Sequence, residues 1–465
     1  MAGDGSGRRY WRLVAADGTT AVGAHGPDRE ENRAFLSFSR TFRQIDLPVP
    51  EVYEADRDAG VWLLEDLGDT TLFDAIKDAR GPGSDDFPDA VLPLYRRVLE
   101  ILPRFQIEGG RSIRFRDAYP RARFDRQSIL WDLNYFKYHF LKLAHVPFNE
   151  ARLERDFGAL ARFLLAAEDA HFLYRDFQSR NVMVRGEGGA AEPWFIDYQG
   201  GRRGALQYDV ASLLYDAKAN LPPSRREELL DHYLTALASR HEVDRSGFLE
   251  LWPGYVLVRI LQALGAYGYR GFFERKPRFL QSVPYAAQNL EGLLERGLPV
   301  ELPELTGALE RIVERWGGGE APTADAEGLE VRVSSFRFAG GYPQDTTGHG
   351  GGYVFDCRGL PNPGRERAYR DLTGLDDPTI AFLAARPEVE AFWEHVRRIV
   401  AGHVDVYRER GLYSLTVSFG CTGGQHRSVY MAERLAAYLR AERPDVRVSV
   451  THRERPDWPR RAEAV

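Results

Sequence analysis

The sequence predicts an α+β chain in three parts: a small β-rich lobe, a larger helical lobe, and a separate, smaller α/β domain. Three observations predict it. Residues 1 to about 66 alternate short apolar runs with turn residues around one helical stretch, Glu30 to Arg43. From 67 to 316 apolar residues recur at helical spacing, as do Leu153, Phe157, Leu160 and Leu164 after Asn149. The run 317–327, rich in Gly and Ala, reads as a flexible linker, and residues 328–455 then return to strands and helices before a charged tail, 456–465.

Within the first two lobes the elements can be justified in order. Gly81-Pro-Gly-Ser84 interrupts the start of the helical lobe. Phe172-Leu173-Tyr174 and Val182-Met183-Val184 read as short strands flanking a polar loop, a hairpin by expectation, and Pro193-Trp194-Phe195-Ile196 reads as a third strand ending at Asp197. Ser224-x-x-Glu227 has the spacing of a capping box opening a further helix. No internal repeat of solenoid period is present in the sequence.

Composition limits the function classes. With 465 residues, 43% of them hydrophobic and 12% aromatic, the chain has material for two or three sizeable cores. A net charge of −6 argues against general nucleic-acid coating but allows a local basic site. No apolar run of transmembrane length and no signal-like amino terminus occur. The two cysteines, Cys357 and Cys421, have neither zinc spacing nor a disulfide framework, and together these features lead us to expect a cytoplasmic protein away from membranes.

The chemistry concentrates in Tyr174-Arg-Asp-Phe-Gln-Ser-Arg-Asn181, followed sixteen residues after Asn181 by Asp197. Phosphoryl transfer needs a carboxylate near the acceptor hydroxyl, plus an amide and a second carboxylate to hold metal on the nucleotide phosphates. Asp176, Asn181 and Asp197 supply that set. A lone Asp and Asn more often cap turns or sit in left-handed loops, and the position of Asp197 at the end of an apolar strand reverses that preference. Only ten residues separate Asp197 from Tyr208, too few for a segment that holds a polypeptide substrate, so a small acceptor is expected.

On these residues the chain resembles the aminoglycoside phosphotransferase superfamily, and within it the bacterial aminosugar kinases that phosphorylate N-acetylmuramate or N-acetylglucosamine at the anomeric hydroxyl. The resemblance covers residues 1–316 and implies a bilobal protein-kinase-like fold, ATP and Mg2+ as cofactors, an alcohol group as acceptor, Asp176 as catalytic base, and Asn181 and Asp197 as magnesium ligands. Gly3 to Arg12 resembles the family's phosphate loop, which puts Gly5, Ser6, Gly7, Arg9 and Arg12 at the nucleotide; glycines there also have the composition of a flexible terminus. Leu63-Leu-Glu-Asp-Leu-Gly-Asp69 resembles the adenine hinge, with Glu65 and Leu67, and Tyr208 to Leu214 the helix supporting the catalytic loop. Acceptor contacts fall on Asp132, in Trp131-Asp-Leu-Asn-Tyr-Phe136, and on Arg202; a solvated Asp beside core aromatics is an equal reading of Asp132. Two residues depart from the family pattern. Tyr174 stands where the family has His, and Ala21-Val-Gly-Ala24 occupies the strand that carries a phosphate-pairing lysine in many kinases, the first lysine being Lys77. Arg8, Arg9 or Arg12 is expected to compensate.

Beyond the linker, Leu415 to Gly420 reads as a strand, Cys421-Thr-Gly-Gly-Gln-His-Arg-Ser428 as a tight loop, and Val429 to Arg440 as a helix. Backbone amides and a helix amino terminus converge there into an anion cradle. The loop also satisfies Cys-x5-Arg-Ser, the arrangement of cysteine phosphatases, which keeps a covalent phosphatase open as a lesser alternative. Five ordered blocks, Val333 to Phe338, Tyr353 to Arg358, Leu360 to Pro363, Leu372 to Asp376 and Gly420 to Tyr430, resemble the carboxy-terminal domain of the RNase adapter family RapZ. That resemblance implies a phosphosugar ligand such as glucosamine 6-phosphate, held by Arg358, Cys421, Thr422, Gly423, Gly424, Gln425, His426, Arg427 and Ser428, with Arg365 and His349 as further candidates. In some members of the family it also implies RNA. Gln425 replaces the family's lysine, and the acidic residues mixed into the tail favour a solvated end over RNA binding.

The reading is thus an ATP-dependent aminosugar kinase joined to a phosphosugar-binding domain. Its alternative is a regulatory RNA- or RNase-binding adapter with an inactive kinase lobe.

Overall fold

A computed structural model gives the architecture. It describes residues 7–81, 84, 86–186, 188–274, 276–317, 329–343, 352–409, 412 and 414–455, so Gly5, Ser6, His349, the expected linker from 318 onward and the tail lie outside the described residues. Two compact units result, one within Met1–Gly268 and Ser282–Ala321, the other within Tyr269–Gln281 and Pro322–Val465.

The first unit opens with an antiparallel sheet of order β1-β2-β4-β3, formed by β1 (Arg9–Val14), β2 (Thr20–His25), β3 (Val52–Asp56) and β4 (Val61–Glu65). Its helix α1 (Arg29–Gln44) starts where the Asp28 carboxylate accepts the Glu30 and Glu31 amides at 2.9 and 3.1 Å, satisfying donors that a helix start leaves open. Phe35, Phe38 and Phe42 of α1 are buried. Phe42 meets Phe172 and Tyr198 edge-on, each with centroids 5.3 Å apart, and Phe35 stacks on Tyr198 at 5.5 Å. The helix is thereby fixed to the residues around the catalytic loop, and aromatic pairs of this kind add about 0.5–1.5 kcal/mol each beyond burial.

The helical lobe follows with α2 (Leu72–Ala79), α3 (Leu92–Pro103), a one-turn α4 (Gly110–Ser112), α5 (Arg126–Phe136) and α6 (Glu150–Leu164). Asn149 caps α6 through the Arg152 amide at 3.0 Å, and Leu153, Phe157, Leu160 and Leu164 are buried as the periodicity predicts. Next come β5 (His171–Leu173), β6 (Val182–Arg185), β7 (Glu192–Phe195) and β8 (Arg202–Gly204), then α7 (Gln207–Leu214), α8 (Pro223–Ala238), α9 (Arg245–Gly268), α10 (Val283–Glu295) and α11 (Pro303–Trp316).

Two expectations need correction here. The strands on either side of the catalytic loop do not form a hairpin: β5 pairs antiparallel with β8, and β6 with β7. Gly204 allows the first pairing, because a Cβ there would fall 2.4 Å from Leu173 Cδ1. The expected capping box at Ser224 and Glu227 is also absent. Helix α8 begins one residue earlier with no side-chain cap bond, and Pro223 at its first position supplies a preset φ and no amide to satisfy.

The second unit has the expected α/β order around a wholly parallel sheet, β10-β11-β9-β12. Its elements are β9 (Glu330–Arg337), β10 (Gly352–Asp356), α12 (Asp377–Ala384), α13 (Pro387–Glu409), β11 (Ser414–Cys421), α14 (Arg427–Glu442) and β12 (Arg447–His452). Val331, Val333, Val417 and Phe419 of the sheet share one core with Trp393, Val396 and Leu435 of the helices. Leu415, Val417 and Phe419 of β11 alternate with Thr416 and Ser418, and the strand is buried along nearly its whole length, as its central place in the sheet requires.

Candidate active site

The loop Tyr174–Asn181 is held from below by one buried carboxylate. Asp209 of α7 accepts the backbone amides of Tyr174 and Arg175 at 2.8 and 3.0 Å. Burial pushes its pKa up to about 6, an effect those two amides oppose. Tyr174, in the family's His position, donates its hydroxyl to the Ile196 carbonyl at 2.6 Å. The tyrosine therefore ties the start of the catalytic loop to the residue just before Asp197.

Two residues in this region take the left-handed backbone, Arg175 at φ 86° and Asp197 at φ 69°. Such conformations cost roughly 1–3 kcal/mol each in non-glycine residues and persist only where surrounding contacts enforce them. At Arg175 the enforcing contact is a fork to both oxygens of Asp132, at 2.7 and 2.5 Å, with a further bond to the Tyr208 hydroxyl. Burial works against the Arg175 charge, but Asp132 more than offsets it, so the pKa ends above the ordinary range.

The predicted trio is brought together. Asn181 donates its amide to the Asp176 carbonyl at 2.9 Å and to Asp197 Oδ2 at 3.2 Å, while Gln199 donates to Asp197 Oδ1. With both Asn181 bonds made through nitrogen, its amide oxygen remains for a ligand. One carboxylate and one amide oxygen form a donor set suited to a hard divalent cation. Asp176 is half-buried, and desolvation first and the charge of Asp197 second push its pKa up to about 7. A general base is most effective when poised near the operating pH.

The expected phosphate-loop arginines separate in the structure. Arg12 is committed to the hinge, pairing with Asp66 at 2.6 Å and Asp69 at 2.7 Å, and Arg9 is exposed on β1. Arg8 is buried, its guanidinium 5.6 Å from the Phe35 and Trp62 rings and 3.5 Å from the Glu31 carboxylate on α1. The Tyr10 phenol, pushed up by burial, senses both Arg8 and Asp197, so the two charges share its neighbourhood. Sequence reading named Arg8 but missed its partner. The available signal was a Glu in the first turn of the only helix in the β-rich lobe. At the hinge, Glu65 pairs with Arg185 at 2.6 Å and Leu67 is buried.

On the acceptor side the structure revises the picture of Asp132, which is neither solvated nor open, because both its oxygens are held by Arg175. Arg202 is buried, donates Nε to the Gly200 carbonyl at 3.0 Å and makes no ion pair among the described residues. Burial, reinforced by the charge of Arg175, pushes its pKa down to about 10. Buried Arg259 of α9, which sequence reading did not single out, adds a third guanidinium whose charge Asp176 senses.

In the second unit the loop after β11 has the expected strand-loop-helix form, but its side chains face inward. Arg427 donates to the Arg358 and Leu360 carbonyls at 2.8 and 2.9 Å and to the Thr422 hydroxyl at 3.1 Å. Gln425 donates to the carbonyls of Arg370 and Leu372, and His426 Nε2 contacts the Tyr369 carbonyl at 2.9 Å. Cys421 Sγ, buried, accepts the Gly424 amide at 3.2 Å and lies 3.1 Å from the Ser428 hydroxyl. A thiol enclosed in this way and an arginine turned to backbone carbonyls are poorly arranged for attack on a phosphate ester. Thr422 and Gly423 remain exposed. Arg358 is exposed too, paired with Asp356 at 2.7 Å.

Fold and site define a kinase-fold phosphotransferase, in which a braced loop gathers Asp176, Asn181 and Asp197. The chain belongs to the phosphotransferase enzyme family, whose profile matches residues 1–244, more than half of its 465 residues. Residues 329–456 match the RapZ C-terminal domain. Curated relatives match a part of the chain. A nucleotide-binding protein of Halorhodospira halophila is 44% identical over 135 residues, 29% of this chain and 45% of its own length. Another, from Methylobacillus flagellatus, is 39% identical over 174 residues, 37% of this chain and 58% of its own. The chain thus spans about half the length of the curated relatives it matches. Similar solved structures include a microcompartment-associated aminopropanol kinase (TM-score 0.43, 18% identity, covering 63% of this chain and 94% of that one). The choline kinase LicA from Streptococcus pneumoniae is similar as well (TM-score 0.39, 14% identity, 62% and 89%). No helix among the described residues is long and apolar enough to cross a membrane.

Proposed function

We propose that the chain is an ATP- and Mg2+-dependent cytoplasmic kinase that phosphorylates a hydroxyl of an aminosugar of cell-wall recycling, with a carboxy-terminal domain that binds a phosphosugar. The observation that carries the kinase reading is Asp176, a half-buried carboxylate poised at about pH 7 beside Asn181 and Asp197. As a carboxylate it takes the proton of the acceptor hydroxyl while that oxygen attacks the phosphoryl group. Asn181 and Asp197 would hold Mg2+, which when bound neutralises charge on the phosphate oxygens. Arg8, oriented by Glu31, would do for the phosphates what the absent strand lysine does elsewhere, and Glu65, Leu67 and Gly7 would line the nucleotide site together with Gly5 and Ser6.

A small acceptor is supported by the ten residues between Asp197 and Tyr208, which here make only β8 and a turn into α7. The buried Arg259, whose charge Asp176 senses, and the buried Arg202 beside the Arg175–Asp132 pair favour an acceptor bearing a carboxylate, as N-acetylmuramate does. For the second domain, exposed Thr422 and Gly423 and the start of α14 support anion binding, with Arg427 shaping the loop from within.

The test is to incubate the purified protein with Mg-ATP and a panel of free aminosugars, following ADP and phosphosugar. Product from N-acetylmuramate that is lost in Asp176→Ala supports the reading. Silence across the panel supports a second reading, a regulatory RNA- or RNase-binding adapter with an inactive kinase lobe, which the missing strand lysine favours.

A further inference from the structure

Away from the catalytic trio, three ligand-type side chains of the first unit converge. Glu168 precedes β5, His171 is its first residue, and His241 follows α8. One ligand atom from each lies within 4.8 Å of the other two. The Nε2 atoms of His171 and His241 lie 3.5 and 4.0 Å from a Glu168 carboxylate oxygen, and the two rings meet edge-on with centroids 5.0 Å apart. His171 is 6% exposed, and its Nε2, turned toward this carboxylate, is buried without a hydrogen-bond partner among the described residues.

A buried imidazole nitrogen with no partner costs free energy unless something completes it. We propose that Glu168, His171 and His241 form a binding site for a first-row divalent metal ion such as Zn2+. Two imidazole nitrogens and a carboxylate oxygen are a common three-ligand zinc set, with water as the fourth ligand. Ligand atoms around a tetrahedral zinc stand about 3.3 Å apart, so the 3.5 and 4.0 Å separations need only small closure. The side chain best able to move is Glu168, 64% exposed, while His241 at 23% leaves the ion a path from solvent. The nearby Arg111 charge on α4 acts against any cation here, and the Glu168 carboxylate balances it. Imidazole donors select zinc-like ions over Mg2+, so this site is chemically separate from the oxygen donors Asn181 and Asp197.

Position gives the ion its consequence. His171 begins the strand that runs into Tyr174 and Asp176, and His241 ends the turn after α8, so a bound metal fastens the foot of the catalytic strand to a helix remote in sequence. An ion that binds only the folded state raises its stability by mass action.

The experiment uses the full chain, stripped with a chelator, dialysed against Zn2+ without nucleotide, gel-filtered and assayed for metal. About one zinc per chain is expected, with a rise in Tm that is absent from His241→Ala. Glu168→Ala, an exposed truncation that carries no folding burden, is expected to bind at least about tenfold more weakly. Wild-type protein that retains no zinc overturns the proposal, as does equal zinc content and equal Tm shift in wild type and both variants.

Discussion

The catalytic loop of the first unit and the Cys421–Ser428 loop of the second both look in sequence like places to handle phosphate, yet they commit their polar side chains in opposite ways. Around Asp176 the structural bonds are made by groups that do no chemistry, namely the Tyr174 hydroxyl, the Asp209 carboxylate and the Arg175–Asp132 fork. Asn181 Oδ1 and the Nη groups of Arg202 keep no hydrogen bond among the described residues. In the second loop Arg427, Gln425, His426 and Cys421 all bond to their own protein, and the exposed loop residues Thr422 and Gly423 offer chiefly backbone. A motif states which side chains are near one another. Where they point decides whether the site does chemistry or only binds.

The largest effect that would break this comparison is at the base. Asp176→Ala is expected to lower the rate of phosphosugar formation by about 10²–10⁴ with folding unchanged; near-normal turnover would remove the distinction altogether. Arg427→Ala comes next and in the opposite direction, a stability loss on the order of 1–3 kcal/mol seen as a lower Tm, because one buried and one partly buried carbonyl lose their donor. Arg8→Ala should weaken nucleotide use roughly 10- to 100-fold through loss of a charge-assisted contact, measured as kcat/KM for ATP, with exposed Arg9→Ala as the unaffected control. Tyr174→Phe should lower stability by roughly 1–2 kcal/mol through the Ile196 carbonyl and leave KM for ATP unchanged. Smallest of all, Cys421→Ser should leave aryl-phosphate hydrolysis at the background level of the wild type; hydrolysis in the wild type that the variant loses would put the phosphatase back in contention.

What the sequence disclosed divides along the same line. Asp176, Asn181 and Asp197 were legible because their spacing along the chain is itself the signal, and the strand-loop-helix at Cys421 was legible for the same reason. The pairing of β5 with β8, the Arg175 fork to Asp132 and the Glu31 partner of Arg8 were not, since each joins residues distant in sequence through contacts that no local pattern encodes. Arg427 was legible as a residue and illegible as a direction. The start of α8 misled for a narrower reason: Ser224 and Glu227 have capping-box spacing, but Pro223 had already begun the helix.

The hydroxyl of Tyr174 has one more implication. A histidine bracing this loop would change charge near pH 6.5, within the range over which Asp176 itself gains or loses its proton. A tyrosine buried so deeply that its ionisation lies well above pH 10 stays neutral throughout that range. The loop thus keeps one shape while Asp176 titrates, and acidity would reach the site through Asp176 rather than through the scaffold that carries it.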